Sequence, residues 1–309
     1  MISQKYSFIL IFKALLFLFI FAPLFFSCNK FDGTQTIPAY IHIEKITLVD
    51  NPNINEGSLS NKITDAWVYV DDELIGAFQL PATFPVLKSG KHKISIHPGI
   101  KMNGMLGTRV EYEFYKNIDI TDFNFVEDSI IKIDTLVTRT SYRDNLNLDW
   151  KEDFDDGTIL FQKRTGSDTN IIQTIAPANL FEGTPTGIVN LDQNHTFFEI
   201  EPVGDNFVLP KNSSPVFLEM NYKTNNSFYV GLLVYSSSSQ TIPSAKVSTI
   251  ALYPSSEWKK IYINFTPDVS DYYNATSFKF FIGGYKDDGI QNAEILFDNI
   301  KMVYFKTSK

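Results

Sequence analysis

The chain has 309 residues, with 35 acidic and 27 basic side chains and a formal net charge of −8. This acidic balance disfavours nucleic acid and anionic lipid as partners, because phosphate binding needs clustered lysine and arginine. The single cysteine, Cys28, excludes an internal disulfide, so an exported fold must rely on its own core. Frequent aromatic and β-branched residues, without long helical periodicity, predict an all-β protein.

The N-terminal residues have the pattern of an export signal. Residues 1–27 contain two lysines, no acidic side chain and an apolar stretch from Ala14 to Phe26, which is short for a membrane span. Ser27 and Cys28 resemble the lipobox of bacterial lipoproteins, which implies cleavage of a signal peptide and a lipid on Cys28. A plain cleaved signal with a chance cysteine and an uncleaved anchor are the alternatives.

Residues 28–37 are short and polar, which predicts a flexible tether between the lipid and the first folded unit. Lys30 and Asp32 resemble the surface-export signal of Bacteroidota-type lipoproteins. The resemblance implies a lipid-anchored protein of the outer membrane that faces the cell surface, with the periplasmic face as the alternative.

Residues 38–140 predict a first β-sandwich. The run Tyr40–Val49 has the composition of a strand with a phase slip near Glu44, which a β-bulge can absorb. In the run Trp67–Phe78, inward-facing and outward-facing residues alternate on both sides of an Asp-Asp pair, which predicts a hairpin. Further strands are expected at residues 92–97, 110–115 and 129–137.

This part of the chain resembles the PEGA module, in which Val-x-Val-Asp, a turn, a glycine and a proline precede Gly-x-His-x-Ile-x-Ile. The matching residues are Val68, Val70, Asp71, Gly76, Pro81, Gly90, His92, Ile94 and Ile96. The resemblance implies an extracytoplasmic scaffold or interaction unit without catalysis. Two triplets that begin at Asp128 and Asp134 resemble Bacteroidota O-glycan acceptors, with Ser129 and Thr135 as the modified residues. The alternative is that both are ordinary strand residues.

Residues 146–305 predict a second sandwich, and the short polar segment 139–145 predicts a linker. Strands are expected at residues 216–223, 228–235, 248–253, 258–265, 277–285 and 293–302. Their spacing and the turn signals between them are typical of a β-sandwich.

Three segments in order, Asp153–Asp155, Glu257–Lys260 and Phe297–Lys301, resemble a galactose-binding-like jelly roll of the carbohydrate-binding-module type. The resemblance implies that the first and last strands lie together beside a structural calcium ion. Asp155 and Asp298 offer the hard oxygen ligands that Ca²⁺ prefers. The alternative is that Asp298 caps a turn and Asp155 is solvated.

A sugar site needs aromatic side chains on one face or rim. Tyr229, Tyr262 and Tyr285 each lie on one face of a predicted strand, and they line a ligand groove if those faces converge. The alternative is that these aromatics pack in the core or between sheets.

Catalytic signatures such as Gly-x-Ser-x-Gly, a P-loop or His-Glu-x-x-His are missing, so the chain is predicted not to be an enzyme. The leading hypothesis is a non-catalytic, membrane-anchored accessory or interaction subunit of a cell-envelope complex. The first alternative is a surface glycan-binding lipoprotein, and the second is a cryptic hydrolase.

Overall fold

The structure, a computed structural model, describes residues 37–306 and is built almost wholly from β-strands, as the composition predicts. Cys28, Lys30, Asp32 and most of the predicted tether lie outside the described residues. Within the described residues, no helix combines the length and the apolar character that crossing a bilayer requires.

The first sandwich contains ten strands. They are β1 (Ala39–Ile43), β2 (Thr47–Leu48), β3 (Asp65–Val70), β4 (Glu73–Gln79), β5 (Ala82–Val86), β6 (Gly90–Lys101), β7 (Arg109–Glu111), β8 (Ile118–Phe125), β9 (Ile130–Lys132) and β10 (Arg139–Thr140). One sheet has the order β5-β1-β9, and the other has the order β4-β3-β6-β7 with β8 also paired to β6. Ile41, Val68 and Ile96 belong to the core between them.

The predicted Asp-Asp hairpin is confirmed. Asp71 and Asp72 connect β3 to β4 with φ angles of 50° and 64°, the left-handed conformation that short carboxamide and carboxylate side chains tolerate. The predicted strand at residues 40–49 is instead two strands, because the chain leaves one sheet after Ile43 and β2 pairs with β10. The predicted strand at residues 129–137 is shorter, because a turn at Asp134 ends it after β9.

The second sandwich is formed by twelve strands and one short helix. They are β11 (Leu146–Asn147), β12 (Lys151–Glu152), β13 (Phe161–Lys163), β14 (Ile172–Thr174), β15 (Thr186–Leu191), β16 (Phe197–Pro202), β17 (Val216–Thr224), β18 (Phe228–Tyr235), β19 (Ala245–Leu252), β20 (Ser255–Asn264), α1 (Thr266–Asp271), β21 (Ser277–Tyr285) and β22 (Ala293–Phe305). One sheet has the order β14-β15-β22-β17-β20, and the other has the order β13-β16-β21-β18-β19.

The early strands β11 and β12 both pair with the last strand, β22, as the jelly-roll resemblance implies. Val230, Phe280 and Ile295 are fully buried between the two sheets. The predicted strands 228–235 and 277–285 match β18 and β21 at both ends. The strands β13 to β16 have no counterpart among the predicted strands.

An aromatic core joins the two sandwiches. Its buried members are Leu48, Ile100, Tyr112, Phe114, Tyr115, Tyr142, Leu146, Leu148, Phe217, Tyr262 and Val303. The turn after β6 also docks against β20, since the Asn103 amide donates to the Tyr262 carbonyl at 2.8 Å. The segment 139–145 contains strand β10 and the fully buried Tyr142, so it is part of the packed structure and not a free linker.

Candidate functional site

Aromatic and charged side chains cover the outer face of the sheet that contains β16, β21 and β18. Alternation along β18 directs Val230 and Leu232 into the core, and Tyr229 therefore points outward. We call this surface the Tyr229 face. It consists of Arg164, Phe197, Glu199, Glu201, Tyr229, Lys246 and Tyr285.

The Tyr229 ring packs against Phe281 within this face. Its centroid is 5.9 Å from that of Phe281, and Lys246 Nζ lies 4.7 Å from the Phe281 centroid. Gly283 permits this arrangement, because a Cβ at that position would approach the Tyr229 ring to 3.1 Å. Burial, together with the negative charge of Glu199, raises the pKa of Tyr229 to about 12. The Tyr229 hydroxyl is therefore protonated at neutral pH and can donate a hydrogen bond.

Ion pairs fix the charged groups of the Tyr229 face. Arg164 Nε donates to Glu199 Oε1 at 2.8 Å, and Arg164 also contacts Glu201. Lys246 pairs with the second oxygen of Glu199. The carboxylates are largely shielded while Lys246 remains partly exposed, so the face presents a preorganised ammonium donor to solvent.

An aromatic pair lies at one end of the face. Phe197 and Tyr285 are paired across β16 and β21, and their ring centroids are 4.6 Å apart with an interplanar angle of 32°. Tyr285 is 65% exposed. Phe197 is half-buried and supports the exposed Tyr285 ring, which can serve as a stacking platform close to fixed polar groups.

The structure separates the three tyrosines predicted to line one groove. Tyr229 and Tyr285 share the Tyr229 face, but Tyr262 belongs to β20 in the opposite sheet. Tyr262 is 1% exposed and its hydroxyl accepts the Lys62 amide N–H at 2.8 Å. The prediction for Tyr262 was wrong, because its outward side of the strand is covered by the first sandwich.

A buried carboxylate organises the contact between the sandwiches. Glu219 is fully buried, and its carboxylate accepts hydrogen bonds from the hydroxyls of Tyr112 at 2.7 Å and Tyr142 at 2.8 Å. Lys260 Nζ lies 3.0 Å from Glu219 Oε2. Burial opposes ionisation, but the positive charges of Lys260 and Lys301 outweigh it and lower the pKa of Glu219. The network therefore contains a buried carboxylate and buried ammonium groups.

Lys301 completes this network from β22. Its Nζ donates to the backbone carbonyls of Glu56 and Ser58 at 2.7 and 2.8 Å, and it lies 5.2 Å from the centroid of the Tyr142 ring. Burial lowers the pKa of Lys301 to about 8, against the attraction of Glu219. The first sandwich thus supplies the acceptors that solvate a charge of the second.

The Asp298 side chain fits the predicted metal site. Asp298 is 1% exposed; its Oδ1 accepts the Asn299 amide at 2.6 Å, and its Oδ2 has no hydrogen-bond partner in the part of the chain described. Burial raises the pKa of Asp298 to about 8, and the nearby carboxylates of Asp155, Asp153 and Glu182 add to the rise. An unpartnered buried oxygen among acidic groups is chemically suited to a hard cation.

Side chains alone do not complete this site. Over residues 37–306, no three His, Cys, Asp or Glu side chains come close enough to form a metal-binding cluster. The loop after β12 is instead shaped by Glu152, whose carboxylate accepts the amides of Phe154 and Leu160 at 2.8 and 2.5 Å. A bound calcium ion would need backbone carbonyls of this loop in addition to Asp298 and Asp155.

The two predicted O-glycan acceptors lie outside strands. Ser129 immediately precedes β9 and its hydroxyl donates to the Glu127 carbonyl at 3.3 Å. Thr135 is exposed in the turn that follows β9. Both positions are on the surface of the first sandwich, and their modification stays a prediction.

No protein-family model matches the chain, and no curated protein matches it. Solved structures that resemble it include carbohydrate-binding modules and the K2 cleaved adhesin domain of Lys-gingipain. A family 61 module in complex with β-1,4-galactotriose is 13% identical over 50% of this chain and 94% of its own, with a TM-score of 0.30. The family 11 module of a Clostridium thermocellum cellulosomal cellulase is 12% identical over 52% and 97%, with a TM-score of 0.33. A structure of promiscuous modules from the β-sandwich superfamily is 13% identical over 87% and 99%, with a TM-score of 0.37.

Proposed function

We propose that this chain is a non-catalytic glycan-binding protein and that the Tyr229 face is its binding site. The observation that carries the proposal is the exposed Tyr285 ring, paired with the half-buried Phe197, beside ion-paired polar groups on one sheet face. This aromatic pair favours glycan binding over a purely structural role in a complex.

The chemistry of the Tyr229 face suits a sugar. The C–H face of a pyranose ring is apolar and stacks on Tyr285, while its hydroxyl groups need donors and acceptors in fixed directions. Lys246 supplies N–H donors, and the hydroxyl of the exposed Tyr285 can donate or accept. Because an ion pair already holds Lys246, little of its side-chain freedom is lost when the sugar binds.

The same geometry disfavours a hydrolase. Glycoside hydrolysis uses two carboxyl groups that face each other across the scissile bond. Glu199 and Glu201 lie side by side on β16, and Arg164 contacts both of them. This arrangement is that of a binding surface, and it supports the non-catalytic proposal.

A glycan-array screen of the mature chain tests the proposed function. We expect binding to a restricted set of neutral oligosaccharides, with affinities in the micromolar to millimolar range that suit a shallow face. Failure to bind any glycan on a broad array, by a protein whose fold is verified by circular dichroism, would count against the proposal.

We further propose that calcium stabilises the second sandwich through Asp298 and Asp155. Asp298 Oδ2 would bind the ion directly, and Asp155 would supply a second carboxylate from the loop that follows β12. The role is structural, since this site joins the first and last strands and lies apart from the Tyr229 face.

Calcium is expected to raise the melting temperature more at pH 8 than at pH 5. The pKa of Asp298 is raised from 3.8 to about 8 in the folded chain, so without calcium the folded chain loses stability as the pH rises through that range. For this one group the free energy of unfolding falls by at most about 1.4 kcal/mol per pH unit. Bound calcium replaces the proton on Asp298 and offsets this loss of stability. Differential scanning calorimetry with EDTA and with millimolar calcium measures both effects.

Asp298→Asn is expected to abolish both the calcium shift and most of this pH dependence, while the exposed Asp271→Asn retains them. The asparagine keeps an oxygen for the Asn299 amide, so the turn is preserved. An equal calcium shift in the Asp298→Asn chain would refute the assignment of this site.

We also propose a lipid anchor at Cys28 in the outer membrane, facing the cell surface. Eight residues, 29–36, separate Cys28 from Ile37, where the described structure begins. Around this end lies the N-terminal apolar patch, which consists of the exposed side chains Ile37, Leu87, Val126 and Ile130. Pairing of β1 with β5 and β9, and of the end of β8 with the start of β6, brings them to the same end of the sandwich.

The N-terminal apolar patch favours a second candidate function, an accessory subunit of an envelope complex, because exposed apolar clusters mark interaction sites. A native pull-down from membranes is expected to recover one stoichiometric partner. Leu87→Ser/Ile130→Ser should lose the partner and remain in the membrane fraction, whereas Cys28→Ser should leave that fraction. Ile175→Ser/Val208→Ser, which changes exposed apolar residues of the second sandwich, is the control. Recovery of no partner would remove this candidate function.

A further inference from the structure

A cavity of about 470 Å³ lies between the two sandwiches, along the edge strand β20. The first sandwich contributes Lys62, Lys101 and Gly104 to the lining of the cavity. The second sandwich contributes Tyr222 and residues 257–262. The Tyr229 face belongs to the opposite sheet, so the cavity is a separate place on the molecule.

This cavity concentrates positive charge in an acidic chain. Four lysines line it, Lys62, Lys101, Lys259 and Lys260, and Glu257 is the only acidic lining residue. Among residues 37–306, the first three of these lysines take part in no ion pair, and Lys260 pairs with Glu219. The local charge is therefore opposite in sign to the net charge of the chain, and an anionic ligand is attracted to it.

Lys260 is the most deeply buried of these lysines. Its side chain is 3% exposed and its Nζ lies 3.0 Å from Glu219 Oε2. This ion pair with Glu219 and the burial of Nζ keep the ammonium out of contact with solvent. Lys260 therefore adds positive charge behind the cavity wall, and the less buried Lys62, Lys101 and Lys259 offer the N–H donors that an oxyanion in the cavity can reach.

Aromatic side chains form the remaining wall. Trp258, Tyr222 and Tyr262 line the cavity, and Trp258 is braced by Phe181 with ring centroids 5.0 Å apart. A partly exposed tryptophan next to lysines lets the apolar face of a sugar ring stack on the indole while a negative group contacts the ammonium groups. A small inorganic anion would contact only the ammonium groups.

We infer that this cavity binds an acidic saccharide, with its carboxylate or sulfate group on the lysines and one sugar ring against Trp258. The chain thus has two saccharide sites of different chemistry, a neutral one on the Tyr229 face and an acidic one between the sandwiches. The second site does not depend on the first, because no residue is shared between them.

Isothermal titration calorimetry with three tetrasaccharides tests this inference: an oligogalacturonide, a sulfated chondroitin fragment and a neutral galacto-oligosaccharide. We expect at least one acidic oligosaccharide to bind, with an affinity that falls as sodium chloride is raised. Lys62→Gln/Lys101→Gln should weaken that binding about tenfold or more. Lys45→Gln/Lys132→Gln, which removes two exposed lysines elsewhere, is the matched control and should leave it unchanged.

The acidic oligosaccharide that binds with the higher affinity shows whether the cavity prefers a carboxylate or a sulfate group. The inference is overturned if neither acidic oligosaccharide binds, or if the Lys62→Gln/Lys101→Gln chain binds as tightly as the wild type. Equal affinity for inorganic sulfate would also overturn it, since the sugar ring would then contribute nothing. Loss of acidic binding in Tyr285→Ala would place the ligand on the Tyr229 face instead, which separates this result from a failure of the proposed function.

Discussion

Replacing Glu219 with glutamine is expected to lower the free energy of unfolding by about 3–5 kcal/mol, the range measured when one member of a buried ion pair is removed. The carboxylate is fully buried and balances the charges of Lys260 and Lys301. Glutamine keeps the shape of the side chain but leaves two ammonium groups uncompensated. The loss is large because no solvent reaches these ammonium groups from the side of Glu219.

Urea denaturation monitored by tryptophan fluorescence measures this change, with the exposed Glu294→Gln as the matched control. Adding Lys260→Met to Glu219→Gln should recover part of the lost stability, because it removes one uncompensated charge. A change in unfolding free energy below about 1 kcal/mol for Glu219→Gln would mean that the network does not hold the sandwiches together.

Replacing Tyr285 with alanine is expected to weaken binding of the glycan found in the array screen about tenfold or more. Tyr285 is the most exposed aromatic of the Tyr229 face, and removal of its ring takes away the stacking surface without affecting the core. A tenfold loss corresponds to about 1.4 kcal/mol, which is within the range for aromatic anchors. Isothermal titration calorimetry gives the dissociation constants.

Tyr273→Ala is the matched control, because Tyr273 is 64% exposed and Tyr285 is 65% exposed. Tyr273 lies before β21 and Tyr285 ends it, so the two rings are at opposite ends of the strand. Unchanged affinity in Tyr285→Ala, or an equal loss in both variants, would argue against stacking at this position.

Local sequence patterns predicted the central strands of the second sandwich well. β18 and β21 are nearly continuous runs of apolar and aromatic residues between turn signals, so their ends follow from sequence. Apolar and acidic residues alternate in β16, where Phe198 and Ile200 face the core and Glu199 and Glu201 face outward. That alternation predicts the charged half of the Tyr229 face.

Long-range packing limited the prediction of the site. Strand alternation puts Tyr262 on the side opposite the core residues Ile261 and Ile263, but strand phase does not reveal which sheet a strand joins. Nor does it reveal that the first sandwich covers that sheet. The Glu219 network joins segments that are far apart in sequence, since Glu219 contacts Tyr112 and Tyr142. Such contacts depend on the complete fold.

Hydroxyl-radical footprinting with and without the bound neutral glycan tests the central claim most directly. It reports the solvent access of individual aromatic side chains, and three well-exposed tyrosines of the second sandwich provide an internal comparison. We predict that the glycan reduces oxidation of Tyr285 and leaves Tyr253 and Tyr273 unchanged. Protection of Tyr253 or Tyr273 without protection of Tyr285 would contradict binding on the Tyr229 face.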